Sequence, residues 1–386
     1  MEYANSVRAS LVLKYLGELN RMGMSRLTVL DLFCGAGGFS EGFRQMGFNV
    51  THAVDNWNPA LEAHKLNQPE AETMKADIET LNPMQFPRPD VIIGGPPCTE
   101  FSGSKKGGGG DVAKGMKLVL AYMRFVHVLK PRWWIMENVP RLLQTLPQRI
   151  RLPDMGFAED GFFDIPRREV FNSANFGAPQ KRFRLLSGKY PTPVQTHFEK
   201  SILTLDNLLY QPWVNMRHVI EAFPNPIARV PRGKKVHDPN YPISLDVELL
   251  TDHFMKPDEF LMTEKEADRN RRWKVAHPWY GKMKFPDDMD RPSRTVMATQ
   301  FNASRETMIM EVKYKGETKY RKPTVRECAS LQAYPITYQF PAKTLSSKYR
   351  LVGNSVPVKL SAAFAKAILV EAGMQVPEQP LLVPVS

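Results

Sequence analysis

A chain of 386 residues with 42% hydrophobic content can bury a sizeable core and divide into two domains, which excludes a disordered or fibrous protein. Three cysteines, Cys34, Cys98 and Cys328, are too few and too scattered for a disulfide framework or a four-thiolate zinc site, and no apolar stretch approaches membrane-spanning length. A formal charge of +12 points toward a polyanionic partner.

The opening residues "MEYANSVRASLVLKYLGELNRMG" read as an amphipathic helix, without the long apolar centre or small-residue cleavage site of an export signal. A reducing cytoplasm is therefore expected, and no metal site. From about residue 27 to 188, short β-branched runs alternate with helical patterns. "RLTVLDLF" predicts a strand, "SEGFRQMG" a helix closed by Gly47, "FNVTHAVD" a strand, and "NPALEAHKLNQP" a helix bounded by prolines. "DVIIGG" predicts the next strand, "MKLVLAYMRFVHVLKP" a long helix, and "WWIMEN" another strand. This alternation implies an α/β fold, a doubly wound and mostly parallel sheet with ligands at the carboxyl ends of its strands. From 189 to 320 the pattern dissolves into proline-punctuated runs with basic clusters, predicting a smaller irregular domain. Helical order resumes over 321 to 372 with "TVRECASLQAY" and "VPVKLSAAFAKAILVEAG", and 373 to 386 reads as a frayed tail.

Three stretches carry chemistry. In "DLFCGAGGFSEGF" a strand turns through Gly35, Gly37 and Gly38 into a helix, a turn that lets a backbone approach a ligand at a helix N-terminus. The third glycine of a nicotinamide-binding turn would fall at position 40, which is Ser40. Asp55 ends the second strand where a ribose-binding carboxylate belongs, and Asp77 in "KADIE" lies where it could accept from an adenine amino group. A nucleoside ligand fits this order. In "IIGGPPC" two prolines hold the chain extended and present Cys98 at a strand end, where a thiolate would be a nucleophile. Glu137, in "WWIMENVP", ends the strand after the long helix and would reach the same sheet edge, placed to protonate or hydrogen-bond a ring nitrogen.

With these residues in order, the chain resembles the DNA cytosine-5 methyltransferases from about residue 27 to 370. "DLFCGAGG", with Asp31 and Phe33 besides its glycines, is similar to the family's pocket for the methionine end of S-adenosyl-L-methionine. "VDNW" resembles the ribose-binding stretch, with Asp55, Asn56 and Trp57 at the cofactor and Trp57 packing on adenine. "ADI" sets Asp77 and Ile78 at the adenine edge, "GPPC" brings Pro96 and the nucleophile Cys98, and "ENV" brings Glu137. "QKRFRLL" implies Arg182 and Arg184 as cytosine- and backbone-binding arginines, and "GNSVP" returns Asn354, Ser355 and Val356 to the cofactor.

The resemblance implies the fold of S-adenosylmethionine-dependent methyltransferases and a reaction on cytosine flipped out of double-stranded DNA. Cys98 would add to carbon 6, making carbon 5 able to take the methyl group, with Glu137 and Arg184 stabilising the ring. It implies a monomer acting on DNA in a bacterial or phage-infected cell, and leaves a cognate restriction endonuclease open as a partner. The loop 99 to 115 would close over the base, with Ser102 and Lys105 near the DNA backbone. Residues 189 to 320 would hold target recognition, with Arg229, Arg232, Lys234 and Lys235 as phosphate contacts and Arg294, in "RPSRTV", ending the recognition core.

Other enzyme classes fit less well. Exocyclic-nitrogen methylating enzymes carry an aromatic residue where this chain has Cys98, and two-cysteine RNA enzymes need a cysteine in place of Glu137. The related tRNA enzyme usually has a Cys-Phe-Thr stretch, but no cysteine lies between Cys98 and Cys328. A catalytically dead DNA-binding protein would have no need of Cys98, Glu137 and Arg184 together.

Overall fold

Four of the expected strands and a fifth, polar one line up in parallel in one sheet: β1 (Thr28–Leu32), β2 (Asn49–Asp55), β3 (Glu72–Lys75), β4 (Val91–Gly94) and β5 (Trp133–Asn138). The computed structural model describes residues 26–97, 111–199, 202–203, 209–276, 283–300 and 306–382. The helix expected near the N-terminus and residues 99–110 of the loop expected over 99 to 115 lie outside these residues, and residues 112–115 of that loop belong to a helix.

A hairpin of β6 (Arg149–Arg151) and β7 (Phe162–Asp164) follows β5, and then β8 (Arg167–Asn172) and β9 (Phe183–Lys189) return to the sheet. The sheet order is β3-β2-β1-β4-β5-β9-β8, with β9 antiparallel to both β5 and β8. The sheet is thus doubly wound and mostly parallel, and its order reverses between β1 and β4, where folds of this kind bind ligands.

Helices cover both faces, which is why the central strands β4 and β5 are buried throughout rather than alternating, whereas the edge strand β3 is partly exposed. Leu30, Leu32, Ile92 and Met136 pack beneath α3 (Val112–Leu129) with its Val119, Tyr122 and Phe125. On the other face Val29, Val91, Ile93 and Ile135 meet Phe39 and Phe43 of α1 (Gly38–Gln45) and Leu360 and Phe364 of a helix near the C-terminus. α2 (Asn58–Asn67) joins β2 to β3.

The central region is irregular, as its prolines predict. It holds β10 (His197–Phe198), β11 (Ile202–Leu203) and β12 (Leu209–Pro212) in one small sheet, and the two-stranded pairs β13 (Lys235–His237) with β14 (Ser244–Asp246) and β15 (Met310–Tyr314) with β16 (Glu317–Arg321). Its one long helix among the described residues, α4 (Glu264–Val275), starts at a reciprocal cap: Glu266 N–H donates to the Thr263 hydroxyl, and Thr263 N–H donates to the Glu266 carboxylate.

The boundary drawn at 189 and 320 does not coincide with a boundary in the core. Met216, Val219, Val236, Val296 and Met308 pack in one cluster with Ala60 and Ala63 of α2 and with Val325, Leu331 and Tyr334 beyond residue 320. The central region therefore takes much of its burial from the catalytic part. The chain closes with α5 (Val325–Leu331), α6 (Leu345–Asn354) and α7 (Val358–Glu371), the last being the helix that supplies Leu360 and Phe364. α6 has no counterpart among the sequence expectations, because its "LSSKYRLVGN" has few apolar positions.

Candidate active site

The first turn is built by β1 running into left-handed backbone: Phe33 has φ 57°, Gly35 55° and Gly37 85°. Gly38 opens α1, and a Cβ there would lie 2.6 Å from the Val356 carbonyl oxygen, so only glycine lets residues 355 and 356 approach the turn. The tertiary structure thus brings "GNSVP" to "CGAGG" across more than 300 residues. At Gly35 an added Cβ would meet nothing within 4 Å, so this side of the turn is open. Asp55 closes the site at β2: its Oδ2 accepts from Gly35 N–H at 2.9 Å and its Oδ1 from Trp57 N–H at 2.8 Å. Burial pushes the Asp55 carboxyl above its ordinary value, against the pull of these N–H donors and of Arg350.

Asp31 sits behind the turn and not at its open side. Its Oδ2 accepts from the Ser40 hydroxyl, which in turn lies 3.1 Å from His64 Nε2. The N-cap of α1 is Gly37, which has no side chain to cap with, and Asp31 serves the first turn in its place. Burial pushes the Asp31 carboxyl up to about 8, with the charge of Asp55 adding to the effect, so it carries its proton at neutral pH. Asp31, expected at the cofactor, is thus buried at the base of the turn with its carboxyl on Ser40.

Other expected cofactor residues are placed unequally. Asp77 and Asn354 are exposed, whereas Ile78 is buried in the cluster beneath α3. Phe33 packs at the edge of that cluster, and Asn56 is exposed. Trp57 packs instead on the α2 and α6 side, its ring already covered by the Arg350 guanidinium at 4.5 Å, so the two expected adenine neighbours Trp57 and Ile78 belong to different clusters. The Ser355 hydroxyl donates to Leu351 O and accepts from Tyr334, leaving only its backbone for a ligand, and the Val356 side chain is buried in the core.

The second centre forms at the ends of β4, β5 and β9. The Glu137 carboxylate pairs with Arg184 Nε at 2.6 Å, with both side chains largely shielded. The antiparallel return of β9 makes this contact, because Asn138 and Leu185 are register partners and Arg184 lies next in line. Glu137 Oε2 would stand 3.3 Å from a Cβ on Gly95, and the Asn138 side-chain amide donates to Pro96 O at 3.0 Å. The chain leading to residue 98 is therefore tied to the strand that carries Glu137. Sequence reading missed Asn138 in this role although it stands inside "ENV". Cys98, Ser102 and Lys105 lie outside the described residues. The two described cysteines are buried, and burial pushes both thiols up, which leaves neither Cys34 nor Cys328 able to act as a nucleophile.

Two of the expected arginines make contacts within the fold. Arg182 is buried, donating to Val296 O at 3.0 Å and Gly353 O at 2.9 Å, so it clamps the central region and the end of α6 to the sheet. Arg294 is bidentate on Asp287, at 2.6 and 2.9 Å, inside the central region, where it helps hold the structure. By contrast Arg229, Arg232, Lys234 and Lys235 are all exposed on the segment leading into β13, and none is held in an ion pair among the described residues.

A doubly wound, mostly parallel sheet with a carboxylate and an arginine paired at its strand ends defines a fold class, and comparison supplies the family. The model of the C-5 cytosine-specific DNA methylases matches residues 27–370, and the chain belongs to that family of DNA cytosine-5 methyltransferases. It is 28% identical over 359 residues to the Type II methyltransferase M.MthTI of Methanothermobacter thermautotrophicus, covering 89% of this chain and 97% of that protein. It is 30% identical to the Type II methyltransferase M.XorII of Xanthomonas oryzae, covering 92% and 88% of the two chains. The solved structure of the S. pombe Dnmt2 methyltransferase shares the fold, with TM-score 0.58 at 15% identity over 90% of this chain and all of that one. No helix among the described residues is long and apolar enough to cross a membrane.

Proposed function

We propose that this enzyme methylates carbon 5 of a cytosine flipped out of double-stranded DNA, with Cys98 as the nucleophile and Glu137 and Arg184 on the ring. The observation that carries the reading is the Glu137–Arg184 pair beside Gly95 and Pro96, whose backbone runs directly to Cys98. Carbon 5 of cytosine is a poor nucleophile. Addition of the Cys98 thiolate to carbon 6 breaks the 5,6 double bond and turns carbon 5 into an enamine carbon. Glu137 holds the N3 and exocyclic amine side of the ring, stabilising charge as it develops, while Arg184 holds O2 and orients Glu137. Loss of the carbon-5 proton then expels the thiolate and restores the ring. Flipping is needed because the base must be reached from both faces, at a cost of roughly a few kcal/mol for unstacking.

S-Adenosyl-L-methionine, when bound, supplies the electrophilic methyl group. The residues present fit it: Gly35 leaves the turn open, Asp55 ends β2 beside it, and Asp77 past the end of β3 and Asn354 at the end of α6 offer exposed polar groups. Asp55→Ala is expected to weaken cofactor binding by roughly 1.5 to 3 kcal/mol, the usual loss for a hydrogen bond to a charged group, while cofactor-free DNA affinity stays within about twofold. Calorimetry showing an unchanged cofactor Kd would leave Asp55 only the task of holding Gly35 and Trp57.

Residues 189 to 320 read the target, with the exposed cations 229, 232, 234 and 235 on phosphates. Relatives named as Type II methyltransferases support a place in restriction and modification beside a cognate endonuclease. Incubating the protein with DNA and S-adenosylmethionine, followed by bisulfite sequencing, tests the reading: protected cytosines in one short sequence are expected. Methyl transfer to another atom, or none with the folded protein, would overturn it.

A further inference from the structure

α6 carries more toward the first turn than the Asn354 end that the sequence marks. Arg350 lies four residues before Asn354, one helical turn away on the same face, and both side chains are exposed. The Arg350 guanidinium carbon stands 4.5 Å from the centre of the Trp57 ring. Among the described residues no carboxylate holds Arg350 in an ion pair, whereas its neighbour Lys348 is bound to Asp252. The ring is itself fixed at its backbone, since Trp57 N–H donates to Asp55 Oδ1. A long, exposed arginine thus gives up its freedom to cover a half-buried tryptophan at the edge of the cofactor turn. The arrangement links three separate parts of the chain: the end of β2, the start of α2 and the helix that ends in "GNSVP".

We propose that Arg350 is a positioning residue for cofactor binding: seated on Trp57 beside Asp55, it pins the end of β2 and keeps a positive charge next to the carboxylate that takes the ribose hydroxyls. The proposal rests on the cofactor reading above. A ribose diol donates two hydrogen bonds, which an ionised carboxylate accepts better than a protonated one. The groups facing Asp55 are Asp31 and Cys34 from β1 and its turn, Lys75 as its register partner on β3, and Arg350 from α6. Asp31 is protonated at neutral pH, and burial keeps Cys34 neutral. Burial and Arg350 therefore pull Asp55 in opposite directions. Removing Arg350 leaves burial less opposed, so the carboxylate takes up its proton at a higher pH, and affinity falls earlier as pH is lowered.

The test is calorimetric titration of the full chain with S-adenosylhomocysteine between pH 5 and 8, a range in which the ligand itself does not titrate. Arg350→Gln is expected to lose roughly 3- to 10-fold in affinity at the acid end of the range and less toward neutral pH, with the midpoint of the pH profile displaced upward. Arg350→Lys, which keeps the charge and loses the flat stacking surface, is expected to retain the wild-type midpoint. Because Arg350 is exposed, the melting temperatures of both variants should match wild type. An Arg350→Gln profile identical to wild type, or an equal loss at every pH in both variants, overturns the proposal. Failure of the wild-type protein to bind S-adenosylhomocysteine, or undiminished binding by Asp55→Ala, removes the underlying cofactor reading instead.

Discussion

Replacing Cys98 with alanine is expected to lower methyl transfer by roughly 10,000-fold or more, the scale of loss when a covalent nucleophile is deleted. DNA affinity should stay within about threefold, because phosphate contacts supply most of it. Neither of the other cysteines can substitute, since both are buried with their thiols pushed up. The wild-type protein should form a denaturation-resistant adduct with DNA carrying 5-fluorocytosine at the target, because fluorine cannot leave as the carbon-5 proton does and the Cys98 bond to carbon 6 then persists. Glu137→Gln should cost roughly 100- to 10,000-fold and leave that adduct slow to form, as expected for loss of an acid at the ring. Radiolabelled methyl transfer and denaturing gels give both readouts. Full activity in Cys98→Ala, or no adduct with wild type, would end this mechanism.

Asp287→Ala is expected to be the most damaging substitution outside the catalytic edge, costing roughly 3 to 5 kcal/mol of stability. The carboxylate is the hub of the central region. Its Oδ2 accepts from Lys274 Nζ at 2.9 Å and from Ile309 N–H at 2.8 Å, and both oxygens bind Arg294. Lys274 is wholly buried and donates also to Thr307 O. Removing Asp287 therefore strands a buried ammonium and loosens α4, β15 and the segment of Arg294 together. Lys274→Met in the Asp287→Ala background should recover part of the loss, because the orphaned charge goes with it. Burial pushes the Asp287 carboxyl up, but Arg294 and Lys274 outweigh burial and hold it below the usual carboxylate value. Its contribution is thus present above about pH 4 and disappears as pH falls through the lowered value. Lys274, pushed down by burial to about 8, acts in the other window: stability should rise between pH 8 and about 10.5 as the folded protein sheds this proton first. Urea midpoints followed across pH check both signs. A cost below about 1 kcal/mol, or no recovery in the double variant, would show that the hub carries little of the domain's stability.

The strands and helices of the catalytic part were legible in the sequence because their causes are local. Apolar runs such as "WWIMEN" become β5 since both faces are buried, a glycine ends α1, and Thr324 with Glu327 starts α5. The order of the motifs likewise implied that Glu137 would stand near the carboxyl end of its strand, and it lies there next to the last residue of β5. What each polar side chain does was decided only in three dimensions. Arg182 and Arg184 lie two residues apart in one motif, yet Arg182 reaches carbonyls 114 and 171 residues away while Arg184 meets Glu137. Arg294 was expected only as the end of the recognition core, and its partner Asp287 emerges from the fold. The irregular region looked like a separate domain, but its apolar residues close on α2 and on the C-terminal helices. Propensity and periodicity act over a few residues, so they set elements. The fate of a buried charge depends on which partner the topology brings within about 3 Å, and that partner is usually distant in the chain.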